Sequence, residues 1–162
     1  MEKLWEIIEK ENIKVKYRHL SHERETLYGL YLLDDSGPII ILDHSLKTSR
    51  RLSRCVLAEE IGHYYTAPRT NFLTAYTSYS TQLTMSKDER KAMMWATDFL
   101  IPDRELCKAL KSGLRSCYEL AEHFDVTEWF MYRKMGFLKM CFRRTGLKVK
   151  GRDLFQVEMQ LC

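Results

Sequence analysis

Leu4, Ile7 and Ile8 recur at helical spacing and predict a short N-terminal helix ending near Asn12. Ile13-Lys14-Val15-Lys16-Tyr17 then alternates apolar and polar, as a half-buried strand does. Leu27 to Leu33 and Pro38 to Leu42 are largely apolar runs separated by Asp34-Asp35-Ser36-Gly37, which predicts a hairpin with a four-residue loop. From Leu52 to Tyr65, the positions Leu52, Val56, Leu57, Ile61, Tyr64 and Tyr65 form one apolar helical stripe, with Thr48 or Ser49 placed to cap its start. This helix is expected to cover one face of the hairpin sheet.

Thr66 to Thr84 is polar and rich in Thr and Tyr, and reads either as a lid or binding loop or as a pair of irregular strands. Ser86, with Glu89 three residues later, has the spacing of a capping box opening a helix through Ala92, Met93, Trp95, Ala96, Phe99 and Leu100 to Pro102. That role would explain Glu89 without any chemistry. Asp103 to Leu110 reads as a short helix, and Ser116 with Glu119 as a second capping box, opening Leu120 to Phe124. Asp125 to Glu128 is expected to start a last helix running toward Phe142, so that two helices and a tight turn form a helix-turn-helix-like unit. The chain then divides into an α+β core (1–102), a helical extension packed on it (103–145) and a tail (146–162) with room for a strand or hairpin.

Composition narrows the class. With 162 residues, 45% hydrophobic and 12% aromatic, the chain has material for a packed core and is not of disordered composition. Cys55, Cys107, Cys117, Cys141 and Cys162 are odd in number and lack a Cys-x-x-Cys pair, which points to a reduced, cytoplasmic protein. Cys107, Cys117 and His123 do not have the spacing of a structural zinc site. The first residues lack the apolar run of a signal peptide, and no stretch reaches membrane-spanning length, so no membrane partner is expected. The net charge of +4 is too mild to imply nucleic-acid binding, although the basic excess lies in the C-terminal third. The helix in the recognition position leads with Glu128, Trp129 and Phe130, whereas base and phosphate readers lead with Arg, Lys, Asn or Gln. A packing or partner-docking role suits this unit better than direct DNA binding.

The candidate chemistry lies on the Leu52 to Tyr65 helix. Glu59 and His63 are one turn apart on one face, and Glu60 stands about 100° round from Glu59. This is the layout of the His-Glu-x-x-His metallopeptidase helix with glutamate in place of the first histidine; there the outer residues hold zinc and the inner glutamate is the general base. Two glutamates and a histidine near a helix end equally describe a solvated acidic edge. Gly62 has either a close-approach role or a loosening role at the helix end, and both remain open.

Three segments in order, Leu57-Ala58-Glu59-Glu60-Ile61-Gly62-His63-Tyr64, then Glu89 through Ala92, Trp95 and Phe99 to Pro102, then Glu119 to Phe130, together resemble the ImmA/IrrE metallo-endopeptidases over roughly residues 10–140. The resemblance implies a zincin-like fold: a small twisted sheet packed on an active-site helix, followed by a mostly helical C-terminal part. It implies a zinc peptidase of a prophage, other mobile element or stress response, whose substrate is a helix-turn-helix transcriptional repressor. Carried onto this chain, it makes Glu59, His63 and Glu89 the metal ligands and Glu60 the general base, Glu59 standing where the family most often has histidine. Two carboxylates and one imidazole are a harder donor set than two imidazoles and one carboxylate, so Mn²⁺ or Fe²⁺ is an alternative to Zn²⁺. The alternative function is a metal-free member that binds a repressor, or DNA, and regulates without cutting. Tyr64, Tyr65, Tyr76, Tyr79 and His44 are candidates to stabilise an oxyanion or line the cleft, against ordinary packing or surface roles. Substrate is expected to add a strand to the sheet edge at Pro38 to Leu42.

Overall fold

A computed structural model describes residues 1–20, 27–67 and 79–145, the side chains of 79–86 and 142–145 excepted. It is an α+β structure in which six α-helices accompany one three-stranded sheet among the described residues. The chain divides into two compact units, Met1–Ala96 and Thr97–Cys162.

In the first unit, helix α1 (Glu2–Lys10) buries Leu4 and Ile8, and ends where Asn12 turns into the left-handed region at φ 52°. Strands β1 (Lys14–Arg18), β2 (Gly29–Asp34) and β3 (Gly37–Asp43) form a mixed sheet in the order β1-β3-β2, β3 running parallel to β1 and antiparallel to β2. The hairpin turn is tighter than its sequence suggests. Asp34 pairs with Gly37, so only Asp35 and Ser36 form the loop. The Asp34 carboxylate accepts hydrogen bonds from the Ser36 N–H (2.8 Å) and hydroxyl (2.6 Å), and Gly37 takes φ +106°, a region that disfavours any side chain. Because β3 is the central strand, Pro38 to Leu42 has neighbours on both sides and offers no edge to a substrate. The outer strands are β1 and β2.

A 3₁₀ turn (His44–Thr48), not evident from periodicity, leads into helix α2 (Arg50–Thr66). Asp43 starts it by accepting from the Ser45 N–H (2.9 Å), and the same carboxylate accepts from the Leu20 N–H (2.7 Å), tying the ends of β1 and β3 together. Ser49 occupies the cap position of α2 without a side-chain cap hydrogen bond. Leu57, Ala58 and Ile61 of α2 are buried, with Ile40, Leu42 and Tyr31 of the sheet, and α2 packs on β2 and β3.

Helix α3 (Tyr79–Leu100) corrects two readings. Its backbone is already helical at Tyr79, so Ser86 lies inside the helix and not at its start, and Glu89 is a mid-helix residue. Tyr79 to Thr84 is therefore neither loop nor strand, while residues 68–78 of that stretch lie outside the described residues. The local Ser-x-x-Glu spacing was overridden because the helix continues on its N-terminal side, where the backbone N–H groups already have partners one turn earlier.

In the second unit, helices α4 (Asp103–Lys111), α5 (Cys117–Phe124) and α6 (Glu128–Thr145) follow the end of α3. The α5 capping box is present: the Ser116 hydroxyl accepts from the Glu119 N–H (3.1 Å), and the Glu119 carboxylate accepts from the Ser116 N–H (2.9 Å). Asp125 does not open α6. It is the left-handed C-cap of α5, at φ 52°, and α6 begins three residues later. The buried face of the α5–α6 pair includes Leu120, Val126, Phe130 and Met131. The tail, 146–162, lies outside the described residues.

The hydrogen bonds that Glu119 accepts from Ser116 and Arg115 hold its carboxyl below the usual range. A depressed folded pKa stabilises the fold at pH above the unfolded value, and that contribution disappears as pH falls through the folded pKa. Glu119→Gln should therefore lower stability at neutral pH and converge with wild type in acid. Parallel stability curves down to low pH would rule this out.

Candidate metal and acid–base site

Two helices that cross closely bring the candidate residues together. Gly62 of α2 faces Ala92 of α3 so tightly that a Cβ on Gly62 would collide with the Ala92 carbonyl. This gives Gly62 a packing reason, and the contact it permits is with a helix, not with the sheet or a loosened end. Glu89 lies one turn before Ala92, and His63 directly follows Gly62. The His63 Nε2 consequently stands 3.4 Å from the Glu89 Oε2, with His63 at 4% side-chain exposure and Glu89 at 48%.

That separation is long for a charge-assisted hydrogen bond but suits shared coordination. Two ligands bonded to one tetrahedral zinc ion at ~2.0–2.2 Å stand about 3.4 Å from each other. His63 and Glu89 could thus hold two positions of one ion. Among the described residues, no three His, Cys, Asp or Glu side chains gather as a metal-holding group. Glu59 is half-buried one turn before His63, on the same helix.

Glu60 is buried on the sheet side of α2. It lies against β2 at Gly29, where a Cβ would come within 2.5 Å of Glu60 Oε1 and 2.7 Å of Val56 Cγ1. The backbone N–H of Tyr31 donates to the Glu60 carboxylate. Burial pushes the Glu60 carboxyl well above the ordinary carboxylate range, and the negative charges of Glu59 and Glu89 push the same way, while the Tyr31 hydrogen bond opposes them.

Aromatic residues brace the end of α2. The Tyr64 hydroxyl donates to Glu11 Oε2 (2.9 Å) and the Tyr65 hydroxyl to Glu11 Oε1 (3.3 Å). Both phenols are shifted upward, Tyr64 chiefly by its hydrogen bond to Glu11 and Tyr65 chiefly by burial, to which the Glu11 charge adds. Tyr64 also meets Tyr31 edge-on with ring centroids 6.2 Å apart, and Tyr65 lies over Trp95 at 5.1 Å. Their hydroxyls are thus engaged by a carboxylate of the N-terminal segment. His44 stacks on His19 at 4.7 Å. Tyr76 and the Tyr79 side chain lie outside the described residues.

Sequence reasoning gave no role in the site to Gly29, Tyr31, Glu11 or Ala92. Only Gly29 left a signal: a lone glycine inside an apolar strand marks a close approach to the backbone. Tyr31 acts through its N–H, which any residue but proline supplies, and Glu11 and Ala92 are ordinary until the helices meet.

No helix among the described residues is long and apolar enough to cross a membrane. Comparison with curated proteins gives no match. The model of the IrrE N-terminal-like domain matches residues 8–135, a span that takes in the sheet, the buried Glu60 and the His63–Glu89 pair, and the chain therefore belongs to that peptidase family.

Proposed function

We propose that this protein is a metal-dependent endopeptidase that cleaves a helix-turn-helix transcriptional repressor of a prophage or mobile element. Glu59, His63 and Glu89 are assigned as ligands and Glu60 as general base. The observation that supports this best is the approach of the buried His63 imidazole to Glu89, at 3.4 Å, beside a buried carboxyl. Zn²⁺ is the first choice of ion, with Mn²⁺ or Fe²⁺ as alternatives. When bound, such an ion supplies Lewis acidity to a water molecule and to the scissile carbonyl. The chain supplies the proton chemistry. Glu60, held by the Tyr31 N–H and the Gly29 floor, accepts a proton from water and passes it to the leaving amine.

Elemental analysis of the purified protein, with His63→Ala and Glu59→His variants, tests the assignment. About one metal ion per chain, lost in His63→Ala, is expected. The second reading, a metal-free regulator that binds a repressor without cutting it, is favoured by glutamate at position 59 where histidine is usual. An empty wild type alongside a zinc-filled Glu59→His would replace the first reading with the second.

A further inference from the structure

Helix α6 presents an apolar face to solvent. Trp129 is 58% exposed, Tyr132 56% and Met140 41%. With Arg133 and Gly136 they fall at helical spacing within one arc of the helix, spanning about three turns. Isolated exposed apolar residues are ordinary, but an aligned stripe containing Trp, Tyr and Arg has the make-up of an interface hot spot.

Gly136 sits in the middle of this face. Glycine is disfavoured in a helix interior and usually has a packing reason. Here a Cβ would meet nothing within 4 Å, so no contact among the described residues explains it. The gap it leaves, between Tyr132 and Met140, is a notch into which a second helix can settle. The Arg133 guanidinium lies over the rings of Trp129 (5.7 Å) and Phe137 (5.4 Å), which holds it along the stripe, and it has no carboxylate partner among the described residues. After Glu128 at its first position, α6 has no acidic residue, and Lys139 adds further positive charge. A like-charged copy of α6 is therefore a poor occupant and an acidic one a good one.

We propose that the Trp129–Met140 face of α6 docks an amphipathic helix of a partner protein, apolar along one side and flanked by carboxylates, crossing α6 at Gly136. The inference does not depend on the metal site.

The test uses the full chain and two fluorescent helical peptides of about three turns, alike in their leucine face, one flanked by glutamates and the other by lysines. Fluorescence anisotropy is expected to show the glutamate peptide binding at least tenfold more tightly. Trp129→Ala and Arg133→Ala should each weaken it about tenfold or more. Gly136→Leu should abolish it while preserving the helical circular dichroism, because the site is open. Gly136→Ala should raise the thermal midpoint of the free protein yet weaken binding, a split that a purely structural glycine would not give. Equal binding of the two peptides, or unchanged binding in Gly136→Leu, would overturn the proposal. So would a dimer in sedimentation that Gly136→Leu dissociates, which would make the occupant a second copy. Salt-dependent duplex binding lost in Arg133→Ala, without peptide binding, would make it DNA.

Discussion

If the proposed function holds, Glu60→Gln is expected to reduce peptide cleavage by about 10²- to 10⁴-fold, the usual contribution of a positioned acid–base group, while metal content stays at the wild-type level. Glutamine keeps the length of the side chain and can still accept from the Tyr31 N–H, but it cannot carry a proton from water to the amine. Gly29→Ala is the companion variant. Its new Cβ would lie 2.5 Å from Glu60 Oε1, so the carboxyl must move while its chemistry is untouched. Cleavage should fall mainly in kcat, with His63-dependent metal binding retained. Fragment release followed by mass spectrometry, with elemental analysis on the same samples, reads both effects. Wild-type cleavage in Glu60→Gln would remove Glu60 from the reaction and require another base.

The Asp98→Asn/Asp103→Asn double variant is expected to destabilise the second unit by about 3 kcal/mol, whereas Lys134→Met should stay within about 1 kcal/mol of wild type. Lys134 is 1% exposed, and its ammonium donates to Asp98 Oδ1 (2.6 Å) and Asp103 Oδ1 (2.5 Å), joining α6 to the end of α3 and the start of α4. Neutralising both carboxylates leaves a buried cation uncompensated. Replacing the lysine by methionine leaves two carboxylates that are 64% and 65% exposed, where water solvates them, and keeps the packing volume. The cost of the double change falls at the lower end of the range for broken buried pairs because solvent already reaches the acidic side. Urea midpoints at unchanged slope measure the difference. Equal losses in the two proteins would mean that the ion pairs themselves, and not the stranding of a buried cation, set the cost.

Several elements needed nothing beyond local sequence. α5 is specified by Ser116 and Glu119 because both hydrogen bonds of its cap close within the first turn. The apolar stripe of α2, except for the exposed Tyr65 at its end, and the two strands of the hairpin were equally legible, since periodicity records which side each residue must bury. Glu59, Glu60 and His63 were recognisable as a constellation because a helix alone sets their spacing.

Tertiary structure decided the rest. The same Ser-x-x-Glu spacing that opens α5 falls inside a helix at Ser86, because the preceding residues are already helical. β3 became central, and Pro38 to Leu42 lost its edge, through a parallel pairing with β1 that no short-range pattern encodes. Glu89 reaches His63 only because Gly62 and Ala92, far apart in sequence, let α2 and α3 cross with their backbones nearly touching. Glu60 acquires its raised pKa from burial against Gly29 and from the charges of Glu59 and Glu89, a property of the assembled site. Sequence determined which chemical groups the helices carry, because that depends on residue identity and helical period. Only the packing of α2 against the sheet and α3 decided which groups meet and at what distance, because those contacts join residues that the chain itself keeps apart.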